Sequence, residues 1–336
     1  MKALLLNTAI ICIILAQGCT PTLSHFEIYK LSDESAREEE ITALNTKVFD
    51  DLQNAKYEDL KALMTDSLRA LFDSRNDMQT FRLIPQEIAG KKMKTLDEYR
   101  VKSTLPNTRI IYKGATGNDP FTLAFTAREK ETYLFFGEIK DSSKSDLLTL
   151  VYALIDGRWK IDALFFRPYA IDGKNASDFY KEAKKLSEQG DWLDAICVLG
   201  NWNTYKHPAD VLKYDNEEKA EKLNQELQAI VPKESPLPYI FANVSTQPKM
   251  FSATRNFFET KSVLIISYLS NVSLADTISL KKENDQVHEA AIKKFKGIVA
   301  NNWAIVYRVY NFIPTANSAP LFYKFVFKRE DARSEG

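Results

Sequence analysis

The chain has 336 residues, of which 45% are hydrophobic, 27% charged and 12% aromatic, and its Lys+Arg and Asp+Glu counts are equal at 45 each. That is the composition of a folded body, long enough for two or three compact units, and it excludes a disordered chain. With no net charge there is no long-range field to gather nucleic acid or another polyanion, so no nucleic-acid partner is expected.

Residues 1–18 read as an export signal. Lys2 supplies a minimal positive start, and 3–16 is apolar apart from Asn7 and Thr8. This run is shorter than the about 20 residues that a spanning helix needs. It ends Leu15-Ala16-Gln17-Gly18-Cys19. Those residues resemble the lipobox of bacterial lipoproteins, although Ala16 stands where Leu is usual and Gln17 is larger than average. The resemblance implies cleavage between Gly18 and Cys19 and acylation of the Cys19 thiol. Several acyl chains hold a protein stably at a membrane, where one chain binds only marginally. Thr20 carries no Asp-type retention signal, so in a diderm host the resemblance implies the outer membrane. The alternative is an ordinary secretory signal, since Ala16 and Gly18 also satisfy the small-x-small rule; the product would then be periplasmic or secreted. Cys12 leaves with the signal. Cys197, among Ala195, Ile196, Val198 and Leu199, is expected to be a buried, inert thiol.

Residues 19–33 are expected to form a tether. Ser35 and Glu38 have capping-box spacing, and Ile41, Leu44, Val48, Leu52 and Ala55 recur on one helical face. Further helices are predicted over 59–64, 67–72 and 77–89, with Pro85 capping or breaking the last. The period then becomes strand-like over 95–103, 108–113, 121–128, 132–140, 147–155 and 158–166. Asp156-Gly157 predicts a two-residue hairpin between the last two. Leu148, Leu150, Tyr152 and Leu154 occupy one face of 147–155, and Leu147, Val151, Ala153 and Ile155 the other. A strand apolar on both faces belongs to a sheet covered on both sides.

Helices followed by antiparallel strands that close on an aromatic hairpin resemble the nuclear transport factor 2-like superfamily over residues 34–170. Gly157, Trp159 and Ile161 match its Gly-x-Trp-x-Ile closing strand. The resemblance implies a cone of curved sheet around helices, with a pocket that some members use as isomerases or dehydratases. No His lies between 26 and 206, which removes a His base from this unit. Asp162 reads as a solvated strand position. Tyr99, Tyr133 and Tyr152 are candidates for a pocket lining, and the core is the simpler place for all three. No catalytic residue is assigned.

Residues 171–230 read as helical. Asn175 or Ser177 caps the first helix, and Gly190-Asp191 turns into the second. Phe179, Ala183, Gly190, Trp192, Ala195 and Leu199 resemble one tetratricopeptide unit. Trp202 departs from it, and such arrays need about three units for stability, so a helical hairpin joining two domains is the expected role. A further amphipathic helix is predicted over 216–230, then a linker over 231–238. Residues 239–330 are expected to form a smaller α+β domain. Its strands are predicted at 262–269, 273–280, 303–312 and 321–328, with a helical stripe of Val287, Ala291, Ile292, Phe295, Ile298 and Val299. His288-Glu289 begins like a zinc-protease helix, but Ile292 stands where the second His belongs; an exposed helix residue is expected. Asn175, Asn243 and Asn271 sit in Asn-x-Ser sequons, which matter only in a glycosylating host. No cofactor or metal site is expected, and 11 glycines leave little material for nucleotide-binding loops.

The whole is predicted to be α+β: N-terminal helices on a curved antiparallel sheet, a helical hairpin, then a smaller α+β domain. The functional expectation is an envelope-anchored, non-catalytic binding module for a protein partner or small ligand. The alternative is a small-molecule enzyme of isomerase, dehydratase or hydrolase type using the cone pocket.

Overall fold

In the computed structural model, the described residues are 25–31, 39–73, 81–116, 119–234, 237–258, 261–315, 318 and 320–329. Among them are eight helices and three sheets, an α+β architecture.

The first sheet has five strands: β1 (Phe26–Lys30), β2 (Met93–Ser103), β5 (Glu131–Lys140), β6 (Lys144–Ile155) and β7 (Arg158–Ile171), antiparallel in that order. The β6–β7 turn holds Asp156 at φ 49° and Gly157 at φ 73°, the positive-φ pair the Asp-Gly dipeptide favours. Both faces are covered. Leu148, Leu150 and Tyr152 pack with Trp159 and Ile161 under α1 (Glu39–Gln53), α2 (Tyr57–Ala62), α3 (Asp66–Phe72) and α4 (Ile84–Ile88). Leu147, Val151, Tyr99 and Phe136 face the opposite way into a second core.

That second core corrects two expectations. β3 (Thr108–Thr116) and β4 (Asp119–Ala127) are not part of the five-stranded sheet. β2 pairs with β5, and the β3–β4 hairpin joins β8 (Leu212–Tyr214) as a separate three-stranded sheet. The reason is the pattern on β4: Phe121, Leu123 and Phe125 need an apolar surface, and the outer face of the first sheet supplies it. Residues 26–30, expected in a tether, pair as an edge strand because Phe26 and Ile28 alternate onto the same core.

The helical segment is α5 (Ala176–Glu188), α6 (Trp192–Tyr205) and α7 (Glu217–Glu234). Asn175 caps α5: its side chain accepts from the Asp178 N–H at 3.2 Å, and Asp178 accepts from the Asn175 N–H at 3.1 Å. α7 continues through 231–234, where the three prolines of 231–238 predict a linker. Trp202 is buried in the second core, and Cys197 is also buried.

α6 belongs to two cores at once. Ala195, Val198, Leu199 and Trp202 meet the first unit, while Leu193 and Cys197 meet the C-terminal one. The latter is a sheet ordered β13 (Tyr323–Lys328), β12 (Ala304–Tyr310), β11 (Lys261–Leu269), β10 (Lys249–Phe258), β9 (Tyr239–Ile240), with α8 (Thr277–Lys294) packed on one face. β11 and β12 are parallel, as a crossover through α8 requires. The predicted strand at 273–280 is wrong: Asp276 accepts from the Ser279 N–H at 3.0 Å and starts α8 instead. The sheet has five strands, and β10 was not foreseen.

Arg255 locks this unit to the rest. Its side chain is 4% exposed, and Nη1 lies 2.8 Å from Glu182 of α5. Nη2 donates to the Asn301 carbonyl at 3.1 Å, and Nε donates to Ser262 Oγ. Beside it, Asn301 donates to Asp191 and Asp194 at 2.9 and 3.0 Å, and Asn302 donates to Asp194 at 2.8 Å.

Candidate functional site

The inner face of the first sheet is closed by its own side chains. Tyr152 and Trp159 fill the space under the helices rather than line an opening. The Tyr152 hydroxyl donates to Asn45 Oδ1 at 2.8 Å, and Asn45 Nδ2 reaches Glu98 Oε1 at 3.5 Å. Burial, with Tyr133 and Glu98 nearby, holds the Tyr152 hydroxyl well above the usual phenol range. Tyr133 packs edge-on to Trp159, with centroids 6.2 Å apart, and Tyr99 is buried on the opposite face. Asp162 is tied into the structure: Thr65 donates to it at 3.2 Å, and Arg128 lies 3.4 Å away. It is not a freely solvated position.

An open cleft of about 860 Å³ lies elsewhere, at the seam between the first unit and the helical segment. Four separate parts of the chain build it, one of them Pro168 of β7. The end of α4 contributes Gln86 and Glu87 and leads to Lys91; the β5–β6 turn and the start of β6 contribute Asp141, Lys144, Ser145 and Asp146; the end of α6 contributes Thr204 and Tyr205. The turn is fixed by the Ser142 N–H, which donates to Asp141 Oδ1 at 2.7 Å. A bulge at Ser145/Asp146 interrupts the ladder as β6 begins.

The two turn carboxyls are driven apart. Partial burial pushes Asp146 above the ordinary carboxylate value, Glu87 adds to this, and Lys91 and Lys144 oppose it. Asp141 is held below its ordinary value by the Ser142 N–H and by Lys91, 3.2 Å away. Burial also raises the Tyr205 hydroxyl, with Asp146 and Asp172 adding to it. Its ring stacks on Phe179 at 5.8 Å. One desolvated carboxyl, two further carboxyls (Glu87 and Asp141), two ammonium groups, three hydroxyls and an amide thus line an accessible concavity.

A second, narrow pocket of about 20 Å³ lies between the two sheets of the first unit, room for about one water. Burial pushes Asp119 up here, but Lys181, Asn175 and Ser177 outweigh it and hold the carboxyl below its ordinary value. Tyr169 is raised to about 12 by burial, and the Tyr214 hydroxyl is buried without a protein partner. Among the described residues, a shallow depression around Thr42, Thr46 and Asp50 is lined by α1 and the turn after it.

Cys197 is raised to about 12 by burial, with Asp194 adding to it. His288 is not exposed: it stacks on Phe327 at 3.8 Å, and its Nδ1 lies 3.1 Å from the Tyr307 hydroxyl. Among the described residues no group of three His, Cys, Asp or Glu side chains is placed to hold a metal ion, and no helix is long and apolar enough to cross a membrane. Gly18 and Cys19 lie outside the described residues.

Asp146, Glu87 and Tyr205 were not identified from sequence. The available signal was Asp146 itself, an acid at the entry of an otherwise apolar strand. The chain is thus an α+β protein with this cleft at its seam. No family model, curated protein or solved structure matches the chain.

Proposed function

We propose that the chain is an exported lipoprotein, held at the cell envelope through acylated Cys19, that binds a polar small ligand or protein segment in the cleft around Asp146. The Gly18-Cys19 pair supports the anchor, with the outer membrane as its address in a diderm host. The helices α1 to α4 on the first sheet support a nuclear transport factor 2-like reading of 34–170, and the Gly190 turn between α5 and α6 supports a tetratricopeptide-like hairpin. Asp146 carries the binding reading. A carboxyl held above its ordinary value costs stability at neutral pH, yet this one lies at an open cleft where water or a ligand reaches it. A group kept at a cost to the fold is explained by what it binds.

The test is native mass spectrometry of protein purified from its own membrane, as parent and as Asp146→Asn. A molecule retained by the parent and lost from the variant supports the cleft. The same molecule retained equally by both would sink it. Mass analysis of the mature amino terminus reads the anchor separately: acylated Cys19 is expected, and an unmodified terminus refutes it.

A second reading is an enzyme of isomerase, dehydratase or hydrolase type working under the helices. Its support is Glu98, a buried carboxyl beside Asn45 and the Tyr152 hydroxyl, and it requires α1 to α4 to move aside, since Tyr152 and Trp159 fill the space beneath them. Turnover of the co-purified molecule by the parent, abolished in Glu98→Gln, would select it.

A further inference from the structure

The C-terminal unit carries an apolar tip at one end. β11 and β12 are parallel, so the loop after β11, the start of α8 and the loop after β12 share that end. Asn311 ties them together: its Nδ2 donates to the Ser270 and Val272 carbonyls at 2.8 Å each, and its Oδ1 accepts from the Leu274 N–H at 3.4 Å. Ile278, Phe312 and Leu321 are 84%, 75% and 86% exposed there, with Ile313 and Phe322 beside them in sequence and also exposed. Three large apolar side chains almost fully in water at one end differ from scattered surface hydrophobics. The Thr315–Ser318 bridge closes the β12–β13 connection beyond Phe312 and Ile313.

The exposed charges at this end are mostly positive; Glu283, next to Lys282 on α8, is buried. Lys249 starts β10 opposite Leu269 at the end of β11, Lys282 is on the first turns of α8, and Lys324 is on β13; all three are exposed. Lys281 is paired with Asp285 at 2.6 Å, and Asp276 is engaged as the α8 cap. Arg308 lies over the Phe322 ring at 5.3 Å.

We propose that this tip is a membrane-docking surface, seating Ile278, Phe312 and Leu321 in the interfacial zone of an anionic bilayer while the lysines meet its headgroups. Protruding apolar side chains enter a lipid interface without a matching groove, and basic residues around them add attraction to anionic lipid. A second copy of the chain is the poorer occupant, because a two-fold contact would set the same lysines against each other. The proposal does not depend on acylation of Cys19. A tip that also touches the surface would orient an anchored body, leaving the seam cleft at a fixed attitude to it.

The test uses the chain from Thr20 onward, which leaves out the apolar 3–16 run and Cys19, mixed with vesicles of phosphatidylethanolamine and phosphatidylglycerol. An environment-sensitive dye on Leu321→Cys reads the tip whatever else holds the chain, since Cys197 is buried. A blue shift quenched by lipid-borne quenchers is expected, weaker with phosphatidylcholine alone and in high salt. Ile278→Ser/Phe312→Ser/Leu321→Ser should lower vesicle affinity about tenfold or more with unchanged circular dichroism. Leu71→Ser/Leu83→Ser, exposed apolar residues elsewhere, should not. A label that stays water-exposed on bound chain overturns the proposal. So does a parent that self-associates without lipid while the triple variant is monomeric, which would make the tip a contact between copies.

Discussion

Replacing Arg255 by Met tests whether one side chain couples the C-terminal unit to the rest. The guanidinium is buried and meets Glu182 at 2.8 Å, the Asn301 carbonyl at 3.1 Å and Ser262 Oγ. The Nη1–Glu182 approach is a charge contact without hydrogen-bond alignment, because Nη1 has no geometrically sound acceptor. At an effective dielectric of 20, such a pair attracts by about 6 kcal/mol before desolvation, which offsets most of it. Breaking a buried pair leaves the partner charge stranded, typically at about 3–5 kcal/mol. Glu182 is better placed than that: its side chain is 22% exposed, and Lys174 stays 2.8 Å from its other oxygen. The expected loss is therefore about 2–4 kcal/mol, including the two neutral acceptors left behind. Urea denaturation followed by circular dichroism reads this. Arg255→Met should lower the midpoint and split the transition in two, as the C-terminal sheet loses its tie to α5. Arg255→Lys, with charge but no fork, should fall between. Adding Glu182→Gln to Arg255→Met should cost less than the two separate losses combined, by about 1 kcal/mol. A single transition within about 0.5 kcal/mol of the parent would refute the coupling.

Asp146→Asn should flatten the pH dependence of stability. Because the folded carboxyl is raised, the native chain holds the proton more tightly between the unfolded and folded values. This group's contribution therefore falls as pH rises through that window and stays fully unfavourable above it. The variant should be at least as stable as the parent at neutral pH and indistinguishable in strong acid; greater instability at neutral pH would contradict the burial argument. Gly297→Ala should cost about 2–3 kcal/mol in thermal denaturation, since Gly297 sits at φ +83° and a new Cβ would strike Asp191 and Asn301. Gly173→Ala, at φ +74° in open space, should cost only about 1 kcal/mol, and equal losses would show that backbone strain alone decides. Cys197 should resist a thiol-titrating disulfide reagent in the native protein and react at once in denaturant, burial having raised it to about 12; rapid native labelling would place it at the surface.

Much of the first unit was legible because its signals are local. Asp156-Gly157 names its own turn, and the doubly apolar 147–155 stretch announces cover on both faces. The β3–β4 hairpin was misplaced because each strand's alternation says that it has an apolar side, not which sheet receives that side. Residues 273–280 were misread because Leu274, Ile278 and Leu280 suit either period, and the Asp276 cap decides the matter. β10 was missed because Arg255 interrupts its inward face, and that arginine makes sense only once α5 brings Glu182 to it. The cleft was illegible for the same reason, since Glu87, Asp146 and Tyr205 come from three segments with no shared spacing.

The position of α6 makes these observations one argument. Its last residues, Thr204 and Tyr205, line the cleft, while its first turn holds Asp191 and Asp194 against Asn301 and Asn302 of the C-terminal unit. Both ends belong to one 14-residue helix, so a displacement at one end cannot leave the other unchanged unless the helix bends. Asp194 adds a condition: burial raises its carboxyl, and the amides of Asn301 and Asn302 offset this only in part. If those amides move away, the buried charge loses its donors, so the seam favours one seating of the C-terminal unit. A ligand that shifts Tyr205 would work against that preference, and the Arg255 cluster is the place where the effect would be felt.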